Sequence, residues 1–305
     1  MHDNNQEIIR KVFLKPEVRA GVPVGAELKA VWKVMLDILE VFIGVCEKHH
    51  LTYWLEGGSM LGAVRHKGFI PWDDDIDVAM PRADFEKLQK ILPGELPPHL
   101  FMQTSETDPE YAAPLMKIRD SRTTGIDSYH VKCGLKFNMG VFVDVNPIDV
   151  WVEDVSQRRR MFRAALFWKG VRRYLYYRKL TSFADRIKRC VAHLLLCMLG
   201  NRKMYELREN PFRKLVCNSE SDFAIIPAHY GWDEKTLIKG EWIKDFVEVP
   251  FEYLKVKIPI GYEQRLTTMY GDWKTPRKGG AFHGDIIFDV NRSYVEVLRE
   301  RFGYR

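Results

Sequence analysis

Two short groups of residues carry types and spacings that chemistry can use. Asp73-Asp74-Asp75-Ile76-Asp77-Val78 holds four carboxylates within five residues. Such a cluster repels itself and is costly to hold unless solvent or bound cations neutralise it. From Asp75 onward acids and apolar residues alternate with the period of a strand. This predicts a strand over Asp75–Met80 with Asp75 and Asp77 on one face and Ile76 and Val78 in a core. Carboxylates ~7 Å apart along a strand suit one or two divalent cations. Upstream, Gly57-Gly58-Ser59 reads as a turn opening a short helix that Ser59 caps and that runs through Arg65. Glycine lets a backbone approach a phosphate closely, and the amides at a helix start point at it. A third acid, Asp144, sits inside the strand pattern Val141–Val145, where an isolated buried carboxylate is expensive. Brought together, Asp75, Asp77 and Asp144 would hold Mg²⁺ (or Mn²⁺), and one carboxylate could accept the proton of an attacking hydroxyl. That set of groups points to phosphoryl or nucleotidyl transfer.

The elements that must position these groups are readable from periodicity. Leu28, Val31, Trp32, Met35, Leu39, Phe42 and Val45 recur at spacings of three and four, predicting a long core helix over Ala26–His50. Thr52–Leu55 reads as a short strand and Pro81 as the start of a helix with Phe85, Leu88 and Ile91 inward. Pro93 to Pro98 is expected to end that helix. Strands follow at Leu100–Gln103 and Leu115–Arg119, then a polar connection from Ser121 to Gly140. Later, Phe246–Phe251 and Leu254–Ile260 read as paired strands, Tyr262–Tyr270 as a helix and Gly271–Gly284 as a loop. The fold class expected is α/β with a mixed sheet.

Composition sets the bounds. The 305 residues are 46% hydrophobic and 12% aromatic, which excludes global disorder. Net charge is +6, unevenly spread: Ser156–Leu215 holds twelve arginines and five lysines against three acids. That net +14 leaves the remainder at −8. The organisation expected is therefore an N-terminal arm (1–25), a catalytic domain (26–155 and 216–305) and a basic, aromatic, helical insert (156–215). The five cysteines are widely spaced without a CxxC pair, which suggests neither a disulfide framework nor structural zinc and fits a reducing, cytoplasmic setting. The N-terminus shows no apolar signal core, and no run approaches the ~20 apolar residues of a spanning helix.

The run Gly57 to Val78, read with Val143-Asp144-Val145, follows the three-acid pattern of the nucleotidyltransferase fold. Its middle, Leu61-Gly62-Ala63-Val64-Arg65-His66-Lys67-Gly68-Phe69-Ile70-Pro71-Trp72-Asp73-Asp74-Asp75, closely resembles the LicD family, which also includes fukutin and fukutin-related protein. Val249-Pro250, Ile258-Pro259 and the ending Tyr270-Gly271-Asp272-Trp273 with Pro276 and His283 look like the C-terminal part of that family. The resemblance spans roughly residues 27–285. It implies transfer of a phospho-alcohol (phosphocholine-type, or ribitol or glycerol phosphate) from a CDP-linked donor to a sugar hydroxyl of a cell-surface glycan, with release of CMP. The glycan would be of lipopolysaccharide, teichoic acid or capsule type. The family's metal acids match Asp75, Asp77 and Asp144, and its nucleotide-binding turn matches Gly57, Gly58 and Ser59. The zinc loop of fukutin-related protein has no counterpart in the cysteine spacing here. The alternatives are nucleotidyl transfer from an NTP, or an inactive glycan- or nucleotide-binding module on the same fold.

Other residues carry two readings each. Arg65 and Lys67 either bind diphosphate oxygens or decorate a helix C-terminus. Trp72 either stacks on a base or a choline ammonium, or packs. Asp73 and Asp74 tune the turn, Lys117 and Arg119 face the site or solvent, and Asp149 is structural. Asp272 and His283 would close over the donor, or His283 is a capped loop histidine. The basic insert reads as an amphipathic surface for anionic lipid at the inner membrane face, or as a solvated helical subdomain. No recognition motif accompanies its charge, so no nucleic-acid partner is expected.

Overall fold

A computed structural model describes residues 2–111, 113–176, 182–277 and 286–304. The N-terminal arm consists of helix α1 (His2–Phe13) and a hairpin of β1 (Glu17–Arg19) and β2 (Val22–Val24). Phe13 and Val24 are buried, and Arg10 bonds Asp37 and Glu40 on the next helix. These anchors are single residues in a polar stretch, too sparse to show as periodicity. The long helix α2 (Ala26–Lys48) buries Val31, Trp32, Met35, Leu39, Phe42 and Val45, as its spacing predicts.

Next come β3 (Trp54–Leu55), α3 (Gly57–His66), β4 (Asp77–Pro81) and α4 (Arg82–Glu95). Helix α4 runs on through Pro93 and ends at Glu95, within the Pro93–Pro98 segment expected to end it. Strands β5 (Leu100–Gln103) and β6 (Met116–Asp120) match their patterns. The expected polar connection, by contrast, contains β7 (Thr124–Asp127) and α5 (Ser128–Lys132). Strand β8 (Val141–Val150) is twice the length that its apolar run suggests. It continues through Asp149, whose buried carboxylate takes a bidentate bond from Arg82 at 2.7 and 2.6 Å. The insert is helical, α6 (Val155–Tyr176) and α7 (Phe183–Arg213), with a break at Gly200. There follow β9 (Phe223–Ile225), α8 (Pro227–Tyr230), β10 (Leu237–Ile238), the hairpin β11 (Phe246–Phe251) and β12 (Leu254–Pro259), α9 (Tyr262–Tyr270), β13 (Ile286–Asp289) and α10 (Tyr294–Phe302).

The molecule is mixed α/β around a mixed seven-stranded sheet. Strand β8 is its axis. One edge of β8 pairs in parallel with β4, which in turn pairs antiparallel with β3. Its other edge carries β6 along residues 141–145 and β9 along residues 148–150, both antiparallel. Each strand that bears or borders an acid therefore lies next to β8. Helices α2 and α4 pack on this sheet and bury a continuous core that includes Trp32, Phe42, Phe85 and Val143. Helix α3 comes so close to the next turn that a methyl on Gly62 would lie 2.4 Å from the Gly68 carbonyl oxygen. Only glycine fits there.

Candidate active site

The parallel register of β4 and β8 sets Asp77 opposite Asp144. Residues in register on adjacent strands point to the same face and stand about 4.8 Å apart. Asp75 is not on that strand, in contrast to the alternation-based expectation. It lies two residues before β4, in the bend that follows Asp73 and Asp74, and is buried. The strand begins only where a partner is available: the Asp144 amide donates to the Ile76 carbonyl (2.8 Å) and the Glu56 amide to the Asp77 carbonyl (3.0 Å). The latter bond ties the start of α3 to β4.

Ser59 also differs from its expected role. Glu56 occupies the position before α3, and no side chain caps the helix. Ser59 lies inside the first turn, where its Oγ accepts from the Asp77 amide at 2.9 Å. It thereby fixes the strand against the helix. Gly57 adopts φ +58°, and a methyl there would point toward the Tyr270 hydroxyl (3.8 Å) and Asp77 Oδ2 (3.9 Å). At Gly58 a methyl would lie 2.8 Å from Asp73 Oδ2. The two glycines thus allow the uncapped helix start to approach the acids directly, with its amide dipoles aimed at where an anion would lie.

The acids crowd one another. Burial first, then the charges of Asp75 and Asp144, hold the Asp77 carboxyl well above the usual carboxylate range, and the bond from Asn146 only partly opposes them. Asn146 Nδ2 donates to Asp77 Oδ1 at 2.9 Å. Lys117, paired with Asp144 across β6 and β8, donates to both of its carboxylate oxygens (2.5 and 2.7 Å). Its ammonium also lies 3.5 Å from the centre of the Phe142 ring. Burial pushes the Lys117 ammonium down, against the pull of Asp144. Arg119 turns away from the acids, to Gln103 Oε1 and the Gly140 carbonyl.

The donor set fits a hard divalent cation: oxygen ligands only, in a crowded anionic cluster. Among the described residues, the acids whose ligand oxygens all lie within 4.8 Å of one another are Asp73, Asp74 and Asp75. Asp75 belongs to that group and also acts on Asp77, so it links the bend to the strand acids. Asp73 and Asp74, expected to tune the turn, are therefore placed to ligate as well.

Beside the glycine turn lies a cavity of about 250 Å³ walled by Gly58, Arg65, Trp72, Tyr270, Trp273 and Arg277 among others. Arg65 reaches it from the far end of α3, where its Nη1 donates to the Trp273 carbonyl at 2.8 Å. Lys67 is not part of it. Helix α3 ends at His66, and Lys67 turns into the left-handed region (φ 55°) as its cap, exposed, with its carbonyl bound to the Glu252 amide. That is ~15 Å of helix from Gly57. Trp72 is part of the wall and packs on the core. Asp272 borders the cavity and pairs loosely with Arg277 (3.6 Å). His283 lies outside the described residues.

Several neighbours were not singled out by sequence reasoning. Asn146 was findable, because strand period places it on the same face as Asp144. Tyr270, beside Gly57, is signalled only by the C-terminal resemblance, and Tyr230, which feels the charges of Asp77, Asp144 and Asp75, comes from a distant segment with no local signal.

Residues 50–166 match the family described as LicD/FKTN/FKRP, nucleotidyltransferase domain. The chain is 27% identical over 241 residues to the lipopolysaccharide cholinephosphotransferase LicD of Haemophilus influenzae, covering 79% of this chain and 88% of that protein. It is 43% identical over 63 residues to the ribitol 5-phosphate transferase FKRP of Homo sapiens, 21% of this chain and 13% of that one. An uncharacterized Rickettsia prowazekii protein is 41% identical over 69 residues, 23% of this chain and 24% of that protein.

Proposed function

This chain belongs to the LicD/FKTN/FKRP family, and on that premise we propose that it moves a phospho-alcohol from a CDP-linked donor onto a hydroxyl of a cell-surface glycan, releasing CMP. The observation that carries the reading is the pairing of Asp77 with Asp144 beside the uncapped start of α3. The acceptor oxygen bonds to the phosphorus distal to cytidine. The bridging P–O bond breaks, its electrons leave with CMP, and the hydroxyl proton passes to one of the acids. Asp75, Asp77 and Asp144 would hold Mg²⁺ or Mn²⁺, which supplies charge neutralisation for the diphosphate. The Gly57 and Gly58 amides and Arg65 bind phosphate oxygens. Incubation with CDP-choline, CDP-ribitol and CDP-glycerol, with an acceptor glycan and Mg²⁺, is expected to yield CMP from one of them. Pyrophosphate from CTP in place of CMP would sink the proposal in favour of nucleotidyl transfer.

The insert adds a location. Among the described residues no helix is long and apolar enough to cross a membrane. Helix α7 nevertheless exposes Phe183 (77%), Ile187, Val191, Leu194 and Met198 (71%) at spacings of three and four. These residues form one apolar stripe on the water side of the fold, flanked by Arg186 and Lys188. A helix with such a stripe and cationic flanks lies in the surface of an anionic leaflet, each cation contributing ~1 kcal/mol. The protein is expected to float with vesicles containing phosphatidylglycerol and not with phosphatidylcholine alone, and Leu194→Glu should abolish flotation. Equal flotation of this variant, or none for the wild type, refutes the membrane face.

A further inference from the structure

A second cleft, of about 420 Å³, opens between α6 and the core, and the function proposed above leaves it without a role. Its walls include Tyr111, His130, Phe137, Leu166, Lys169 and His229. The sheet order fixes where it lies relative to the donor cavity. The glycine turn follows β3 and sits on the β4 side of the acid pair, next to Asp77. Tyr111 precedes β6 and His229 follows β9, and both of those strands lie along the opposite edge of β8, the Asp144 side. In-line phosphoryl transfer needs the attacking and leaving oxygens on opposite sides of phosphorus. The two openings flank the acids in that sense.

Two features of this cleft have no account within the fold. The first is the Tyr111 hydroxyl. The residue is only 4% exposed, yet among the described residues its OH has no hydrogen-bond partner. A buried unpaired hydroxyl destabilises a protein by about 1–3 kcal/mol, so natural chains seldom keep one without a use. The second is the charge of Lys169. Among the described residues its ammonium has no carboxylate within ion-pair distance, and its recorded contact is the His229 Nδ1 at 3.3 Å. That ring is held neutral: burial first, then Lys169 and Arg208, push it down to about 4. Nearby Arg172 is 1% exposed and leaves Nε and Nη1 without acceptors, while its Nη2 is spent on the Pro109 and Tyr111 carbonyls. The acid in the wall, Glu110, accepts from the Lys136 amide. With Arg173 also in the wall the local field is positive, and the rest of the lining is mostly apolar and aromatic.

We propose that this cleft receives the acceptor glycan, and that the sugar it takes carries an anionic substituent, a phosphate or a carboxylate, that Lys169 binds while the Tyr111 hydroxyl bonds the sugar. The inference rests on the transfer reading for the word acceptor, but not for the binding itself. Calorimetric titration of the full chain with glucose 6-phosphate, glucuronate and glucose tests it. The two charged sugars are expected to bind about tenfold more tightly than glucose, the difference that one well-placed charge makes. Lys169→Gln should erase that preference. Tyr111→Phe should weaken all sugar binding while leaving the melting temperature unchanged or higher, because the hydroxyl it removes has no partner in the fold. No sugar binding, equal binding of glucose and glucose 6-phosphate, or a preference that survives Lys169→Gln would overturn the cleft assignment. Charged-sugar binding that depends on Lys169, without CMP release from any CDP-alcohol, would count against the transfer reading and leave the cleft standing.

Discussion

Asp77→Asn is expected to lower CMP release by about 10²–10⁴-fold while the protein stays folded. The loss has two sources, a ligand for the cation that offsets the diphosphate charge and a candidate acceptor for the hydroxyl proton, and effects of that size are usual for either role. The fold survives because the bonds at this position are kept. The bond to Ser59 uses the backbone amide, and an asparagine still offers an oxygen to Asn146. Without metal the variant should melt at or above the wild-type temperature, since it removes a buried carboxyl that Asp75 and Asp144 repel. With Mg²⁺ the order should reverse, because a cation that binds only the folded state stabilises the wild type by mass action and the variant less. Differential scanning fluorimetry with and without Mg²⁺, beside a CMP assay, reads both. Activity within tenfold of the wild type, or a metal-induced shift equal in the two proteins, refutes the assignment of Asp77.

How much of this was legible depends on whether a signal is local. Helices α2 and α9 and the strands β5, β11 and β12 follow from three-, four- or two-residue periodicity, which the chain carries within itself. The Asp77–Asp144 pairing was foreseen as chemistry, but its register belongs to two strands far apart in sequence. Asp75 was misplaced for a related reason. Acid–apolar alternation runs back through it, but a strand starts where a neighbouring edge exists, and the ladder here begins at Asp77. Strand β7 was hidden in a polar stretch because, among the described residues, it pairs with β13, near the other end of the chain. Lys67 was drawn into the site by its closeness in sequence to Arg65. The helix ends between them, so Arg65, inside its last turn, reaches the cavity, while Lys67 serves as the cap and bonds to the hairpin. The unsatisfied Tyr111 hydroxyl has no sequence signature at all, because it is defined by what other segments fail to provide.

The largest stability effect is expected at Arg265. Its Nε donates to Glu56 Oε1 at 2.8 Å and its Nη1 to the Lys235 and Leu237 carbonyls at 2.7 and 2.9 Å, and the residue is 1% exposed. Glu56, 2% exposed, takes a further bond from Trp54 Nε1 at 3.0 Å and immediately precedes Gly57. The pair therefore clamps the glycine turn to α9, the helix that ends in Tyr270. Arg265→Ala leaves a buried carboxylate and two carbonyls without their donors, and breaking a buried pair in this way costs about 3–5 kcal/mol. Urea unfolding should report a loss of that size. Glu56→Leu with Arg265→Leu should lose less, because replacing both charges with apolar groups leaves no uncompensated charge behind. The double variant also separates stability from function. If the clamp positions Gly57 for the phosphates, the double variant keeps most of its stability while its affinity for the CDP donor falls. If donor affinity follows stability across both variants, the pair supports the fold alone and has no part in placing the turn.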